Sequence, residues 1–564
     1  MGEDALEAPK PAPKGRSGLA IVAIVVVAIV VIGGLAYYFM TQGDGGEEEP
    51  TVLVAYFATN VLSLDPQDAY DTMSFIPIMN IYDTLIGYPE DQIDEYVGIL
   101  ATDWTVSDNG LYYNFTLRED VVFSNGNKFN ATDVKYSLER ALNIYHSDLP
   151  TTGVGWIVDQ DLNMESVTII SEYEVSFKLT FAYAGFLATI AQPFPLAMVD
   201  EESTQPHNTT SDLYAFEWMK FHPMGTGPYM LDRWTVNEQT VLVRNNESWR
   251  GWSGKHYDKV ILVEASSSTN RVQALIDGDA DIAEIPFTNI PDVEDEPGVV
   301  VEPVKTFQLE MIAMNVDSAW TGHDFMRNPL VRQALSYAFD YDNTSEEYYA
   351  GYMDEAQGVI PNGMPLETEA QPFKGFNFSL GKASELLNTS GHPLNGQNER
   401  FNGTELSINV EAGDTERGDA AQLYRTTLSR LGIVSQVTVQ PSSSAMENLR
   451  NGDEWDMYFT GWVIDYLDPD DYVLPIVVSS ANWGDYFLTG VNNPAIDDAA
   501  LAAQVETDQD ARAADYKTVW EEFNKDPNVI LVGQTNYVAF YNDNVDGFMF
   551  NPVIWYYFYW YSEH

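Results

Sequence analysis

At 564 residues the chain is too long for one hydrophobic core and calls for about three domains of 150 to 200 residues each, while 45% hydrophobic and 13% aromatic residues rule out a disordered protein. With 28 Lys and Arg against 85 Asp and Glu, the net charge of −57 excludes nucleic acid as a partner, because phosphate binding needs a basic surface. The chain has no cysteine, which excludes disulfides and a lipid carried on sulfur, and its self-repulsion favours a setting where salt screens it, so a saline habitat is expected.

Residues 19–40 are uncharged and rich in Ile, Val and Ala. As a helix they would run about 33 Å, enough to cross a bilayer. Lys10, Lys14 and Arg16 precede the run and Glu47-Glu-Glu follows it, so residues 1–18 are expected in the cytoplasm and everything beyond 40 outside. A cleaved signal peptide would have a shorter apolar region and a small-x-small exit; here the exit is Leu35-Ala-Tyr-Tyr-Phe39, which favours an uncleaved single-pass anchor in the cell membrane. Residues 41–50 are a Gly/Glu linker with nothing to bury. Sequons at Asn114, Asn130, Asn208, Asn246, Asn343, Asn377, Asn388 and Asn402 are compatible with an extracellular, glycosylated surface.

Thr51-Val-Leu-Val-Ala-Tyr-Phe57 reads as the first strand, and a helical pattern follows from about Thr72 to Ile86, ended by Gly87. Leu100-Ala-Thr-Asp-Trp104, Tyr112-Tyr-Asn-Phe-Thr-Leu-Arg118 and the Asn109-Gly110 and Asn125-Gly126 turns predict a hairpin. It leads into a helix at Ala131-Thr-Asp-Val that Thr132 should cap and Asp133 support. Further on come Gly225-Thr-Gly-Pro-Tyr229 with Trp234, Arg244-Asn-Asn-Glu-Ser-Trp249, Tyr257-Asp-Lys-Val260, and Arg271 to Asp281, a helix running into a strand. Asn328-Pro-Leu-Val-Arg-Gln-Ala-Leu-Ser-Tyr-Ala-Phe-Asp340 is a helix with Asn328 as cap, Pro329 in the first position and Val331, Ala334, Leu335, Ala338 and Phe339 on one stripe. Gly358-Val-Ile-Pro361, Lys382-Ala-Ser-Glu-Leu-Leu387 and Leu428-Ser-Arg-Leu-Gly-Ile433 come next.

Asp456-Met-Tyr-Phe-Thr460 is a strand that delivers Gly461-Trp-Val-Ile-Asp465-Tyr-Leu-Asp-Pro-Asp-Asp471, and Asp468-Pro-Asp-Asp reads as a turn opening a helix. An acid at a strand end, behind Trp462 and beside Tyr466, is costly unless it meets a cation. On residues alone Asp465 either receives a positive group or caps a local turn. Beyond Asp515 a helix with Trp520 and Phe523 leads to the strand Val529-Ile-Leu-Val532, and Trp555-Tyr-Tyr-Phe-Tyr-Trp-Tyr561 is expected to pack in a core or between lobes.

No nucleophile elbow, zinc-protease or phosphate-loop pattern occurs, and His146, His207, His222, His256, His323, His392 and His564 are scattered. Asp277-Gly-Asp-Ala-Asp281 lacks the sixth-position Gly and twelfth-position acid of a calcium loop and reads as a turn. Asp468, Asp470 and Asp471 open a helix, which already gives them an electrostatic reason, so neither a metal nor a cofactor is expected.

Taken in order, the hairpin-and-helix block at 100–138, the Gly225 and Arg244 motifs, the helices at 271 and 328 and the Gly461-Trp motif closely resemble the family 5 solute-binding proteins, receptors of peptide, nickel and related ABC importers. The resemblance implies an α/β, periplasmic-binding-protein-like two-lobe fold of class II with an extra inserted domain. It places one lobe at 51–88, 221–305 and 526–564, the inserted domain at 89–220 and the second lobe at 306–525. It further implies a monomeric, non-enzymatic receptor that closes over an oligopeptide or dipeptide and hands it to an ABC permease and ATPase. By position, Asp465 would meet the peptide's ammonium, while Gly461, Trp462, Val463 and Tyr466 complete the ligand-binding set, with backbone near Gly461-Trp462 pairing like an added strand. Some relatives carry an Arg two residues before that Gly; here Phe459 stands there, which puts capture of a ligand carboxylate at that point in doubt. An oligosaccharide or metal-chelate receptor on the same fold, or a hydrolase, are the alternatives.

Overall fold

The computed structural model describes residues 50–150, 157–158, 163–254, 256–316, 323–441, 455–479 and 489–563. The expected anchor at 19–40 lies outside them; among the described residues no helix is long and apolar enough to cross a membrane.

A sheet of eleven strands organises residues from 52 onward. Across it run Val434–Gln440, Glu405–Glu411, Met457–Trp462, Val299–Met314, Val529–Asn542, Ile282–Ala283, Val52–Phe57, Lys259–Glu264, Gln239–Arg244 and Tyr229–Thr235, with Met353–Asp354 paired to Val529–Asn542 off this path. Each end carries parallel pairing: Val52–Phe57 lies parallel to Lys259–Glu264 and Ile282–Ala283, and Glu405–Glu411 lies parallel to Val434–Gln440 and Met457–Trp462. Two long antiparallel strands pass through both ends, paired from Val299 with Asn542 to Ala313 with Val529, and their register shifts between Val304 and Gln308 and again between Glu310 and Met311. The α/β halves therefore share two crossing strands with irregular steps at their centre. A separate four-stranded antiparallel sheet, Ala101–Val106, Tyr112–Leu117, Glu174–Leu179 and Met164–Ser171, stands apart from the large one.

Local chemistry accounts for several of these elements. Asn328 accepts a hydrogen bond from the Leu330 amide and Pro329 opens the helix Pro329–Tyr337, with Val331, Ala334 and Leu335 buried as the spacing requires. The helix Ala131–Tyr145 is capped by Asn130 rather than Thr132: the Asn130 side chain accepts from the Thr132 amide, while Asp133 accepts from the Asn130 amide at 2.9 Å. Asn130 sits one residue outside the helix with extended backbone, so its amide oxygen reaches the first free N–H groups.

The first helix covers Thr72–Ile81 only. Tyr82 turns extended and Ile86–Gly87 joins a short ladder with Val97–Gly98, so the apolar run past residue 81 serves a strand. Nine of the helix's ten residues are buried, which explains why its apolar pattern drifts around the axis instead of marking one face. Gly225 and Gly227 press against this helix's end: a Cβ on Gly225 would lie 1.9 Å from the Ile81 carbonyl oxygen and one on Gly227 2.5 Å from that of Asn80, so no larger residue fits. The aromatic tail packs inward as expected, with Tyr556, Phe558 and Tyr561 buried in the same apolar cluster as the first strand and the Tyr556 ring edge-on to Phe57.

Candidate functional site

The strand Met457–Trp462 runs two residues further than its sequence suggests and carries Gly461 and Trp462 within it. On one side it is fully paired, with Glu310 opposite Gly461 and Leu309 opposite Trp462. On the other, the ladder to Glu405–Glu411 ends at the pair Asn409 and Tyr458. Among the described residues the ladder on that side does not extend to Phe459, Thr460 and Gly461, which is the geometry that accepts an extended backbone.

Gly461 is small for a reason. A Cβ there would lie 2.6 Å from a guanidinium nitrogen of Arg417 and 2.9 Å from the Leu309 carbonyl oxygen. Arg417 lies in the first turn of the helix Thr415–Arg430 and is held by Glu310, with nitrogen–oxygen distances of 2.7 and 3.2 Å, and by Asp414 at 2.9 Å. Phe459 is buried in the apolar core behind the strand, away from any ligand role. The cation beside the Gly-Trp motif therefore comes from position 417, which sequence reasoning missed; its signal was an Arg two residues into a helix whose cap, Asp414, and neighbour, Glu416, are both acidic.

After Trp462 the chain leaves the strand and dips into the interior. Val463 stays half-buried beside Gly461, whereas Asp465 is 4% exposed and Tyr466 completely buried. The helix Asp470–Val477 opens with Asp470 and Asp471 in its first turn, as acids at a positive helix end should. Asp471 ties the loop together: it accepts from the Asp465 amide at 2.9 Å and from the Trp462 indole at 3.4 Å. The capping reading of this loop thus belongs to Asp471, while the side chain of Asp465 is left for another partner.

That partner comes from far away in the chain. The Tyr70 hydroxyl donates to Asp465 at 2.7 Å, across 395 residues of sequence. Asp468 is clamped by both terminal nitrogens of Arg512 at 2.8 and 2.5 Å, and Arg512 also reaches the Tyr516 hydroxyl. Tyr183 faces Asp470, and the Ala184 amide donates to the Gln504 carbonyl. Tyr472 donates to the Phe307 carbonyl on the crossing strand. The acidic loop and the helix it opens are thus held by Tyr70, Arg512, Tyr183 and the Phe307 carbonyl on the crossing strand.

Four buried carboxyls meet a single guanidinium here. Burial works to raise Asp468, but Arg512 outweighs it and holds the carboxyl below its ordinary value. Burial pushes Asp465 up to about 7 even though Tyr70 works the other way. Asp470 and Asp471 are raised well above the ordinary carboxylate range, first by burial and then by the neighbouring acids Asp468 and Asp465 respectively. Tyr183 hydrogen-bonds to Asp470 and works the other way, favouring its charged form. Among the described residues no Lys, Arg or His forms an ion pair with Asp465, Asp470 or Asp471, and no group of three potential ligands is placed to hold a metal. The arrangement can receive a cation.

Residues 95–484 match the family model described as bacterial extracellular solute-binding proteins, family 5. The glutathione-binding protein GsiB of Escherichia coli O1:K1 is 26% identical over 511 residues, covering 89% of this chain and 92% of the relative. Among solved structures, DppA from Helicobacter pylori in complex with the peptide STSA superposes with a TM-score of 0.76 at 24% identity, covering 91% of this chain and 98% of its own. NikA from Brucella suis in complex with Fe(III)-EDTA gives 0.78 at 22% identity, covering 91% and 100%. The mixed α/β, periplasmic-binding-protein-like fold is therefore shared with these receptors.

Proposed function

The chain belongs to family 5 of the bacterial extracellular solute-binding proteins, and we propose that it is a membrane-anchored receptor that binds peptides between two closing lobes and passes them to an ABC permease with its ATPase. The observation that carries the peptide reading is the buried carboxyl of Asp465, which pairs with no Lys, Arg or His among the described residues, close in sequence to the strand edge at 459–461 beyond the end of its ladder, because a peptide brings both an ammonium and an extended backbone. Gly461, Trp462 and Val463 border that edge, Tyr466 supports it from within, and Arg417 offers a cation next to Gly461 for a ligand carbonyl or carboxylate. The glutathione named for the GsiB relative and the peptide named for DppA fit this chemistry, since each carries a free ammonium.

In this reading residues 51–88, 221–305 and 526–564 make one lobe, 306–525 the other and 89–220 an insertion that enlarges the first. The register steps between Val304 and Gln308 and between Glu310 and Met311 are where the crossing strands would bend. Residues 19–40 hold the receptor at the outer face of the membrane, with 1–18 inside and 41–50 as tether. Mass spectrometry of small molecules released from the purified ectodomain tests the ligand class. Peptides with free amino termini are expected; a sugar or a metal chelate, as bound by NikA, would replace the peptide reading.

A further inference from the structure

The parallel strands Val52–Phe57 and Lys259–Glu264 end side by side, with Phe57 opposite Glu264, and the antiparallel strand Gln239–Arg244 begins beside them. A shallow recess lies at these strand ends, and no residue around Asp465 takes part in it. Val61, Met73, Leu262 and the Trp234 ring give it apolar walls, Glu238 and Glu264 bring carboxylates, and no Lys, Arg or His lines it. The Glu264 amide donates to the Glu238 carbonyl at 3.0 Å, which makes the two acids neighbours, and the Asn60 amide donates to the Asn237 side chain at 2.6 Å, which ties together the loops that frame the recess. One carboxylate oxygen of Glu264 is buried and has no hydrogen-bond partner among the described residues.

The surface around this recess is apolar. Leu62 is 58% exposed, Val236 50% and Phe221 49%, and Phe221 stacks on Trp234 with ring centroids 4.9 Å apart. The Leu64 amide donates to the Lys220 carbonyl at 3.2 Å, which brings the segment before Phe221 against the one after Leu62. Single exposed apolar residues are ordinary, but a group of them about a recess marks an interaction site. A small cation would satisfy the two acids and leave Leu62, Phe221 and Val236 in water. A second copy would bring another net charge of −57 to a rim that is already acidic. The chemistry that fits is a protein face with a basic side chain at the centre of apolar ones.

We propose that the recess is a docking socket for the ABC permease. A Lys or Arg of the permease lays its stem along Trp234, Met73 and Leu262 and sets its charge on Glu264 and Glu238, while Leu62, Phe221 and Val236 pack against the apolar residues around it. Open α/β sheets hold their ligands outside the carboxyl ends of the strands, so the socket stands on the end of the sheet that a permease collecting the ligand has to face. The permease as partner rests on the function proposed above; the demand for a basic side chain within an apolar face comes from the recess itself.

Photo-cross-linking of the full-length receptor, in the membranes of the cells that make it, tests the socket. A benzophenone amino acid at position 236, and separately at 62, should cross-link to a permease subunit identified by mass spectrometry. The same probe at 439, where Val439 is 62% exposed on the edge strand at the far side of the sheet, should not. Glu264→Gln removes a hydrogen bond between charged groups and should lower the adduct about 10- to 100-fold, with melting temperature and bound small molecules unchanged. Exposed Glu238→Gln provides a second variant should Glu264→Gln fold poorly. Adducts no stronger than at 439, an adduct with a second copy or with lipid alone, or an adduct that both substitutions leave intact overturns the socket. An adduct with a different membrane protein that the substitutions abolish upholds the socket and counts against delivery to an ABC permease.

Discussion

Asp465→Asn should make the empty receptor more stable while disabling it. A carboxyl with an ordinary value of 3.8 that burial moves up to about 7 is destabilising wherever the folded protein has to ionise it. The folded state binds the extra proton, so this group costs nothing below pH 4. The cost grows as pH rises from about 4 to 7 and is complete above 7. A displacement of about three pH units at 1.36 kcal/mol per unit sets the full penalty on the order of 4 kcal/mol. Asparagine has the same shape, keeps an acceptor for the Tyr70 hydroxyl and cannot ionise. Urea denaturation of the ligand-free ectodomain at pH 4 and pH 8 should therefore find the variant close to wild type at pH 4 and more stable by up to that amount at pH 8. A variant less stable than wild type at pH 8 would show that Asp465 is an ionised, structurally paired residue and would refute the reasoning.

Removing Arg512 should do the opposite: Arg512→Met leaves Asp468 buried without its partner and should cost about 3 to 5 kcal/mol at pH 7, less at pH 4 where the freed acid takes up a proton, as read from denaturation midpoints. Because the whole chain carries a net charge of −57, most of it beyond residue 50, the ectodomain's melting temperature should climb from dilute buffer to molar KCl, and a flat curve would mean that repulsion does not limit stability. Full-length protein should sediment with membranes and keep its N-terminus, a result that a mature chain beginning near Gly43 in the medium would contradict.

Local signals in the sequence were readable where the partner lay within a turn or two. Asn328 and Pro329 announced their helix, and the Asn-Gly turns announced the hairpin, because capping and turn chemistry act over a few residues. The same locality misled at Asn130, where two cap-competent residues two positions apart, Asn130 and Thr132, compete and only backbone geometry separates them. The crossing strands were harder. Val529–Asn542 showed only its first four residues as a strand, since Gly533, Gln534 and Asn536 interrupt the apolar pattern.

At the site, Gly461, Trp462 and Asp465 were legible as a motif, but their surroundings were not. Tyr70 lies 395 positions from Asp465, and Arg417 lies 107 from the Glu310 that holds it, so no spacing rule links either pair. Arg512 did leave a trace: a cation in an acidic stretch, in line with Tyr516 and Trp520 at helical spacing, sits on the buried face of its helix and so must have an acid to meet.

The most direct test of a receptor built to enclose an ammonium is calorimetry at pH 7 with a peptide recovered from the purified ectodomain and its N-acetylated twin. Enclosing the ammonium against Asp465 predicts that acetylation weakens binding by about 2 to 5 kcal/mol, roughly 30-fold to several-thousand-fold, and that Asp465→Asn loses as much for the free peptide while barely distinguishing the two. Equal affinity of the wild type for both peptides, within about threefold, would contradict it.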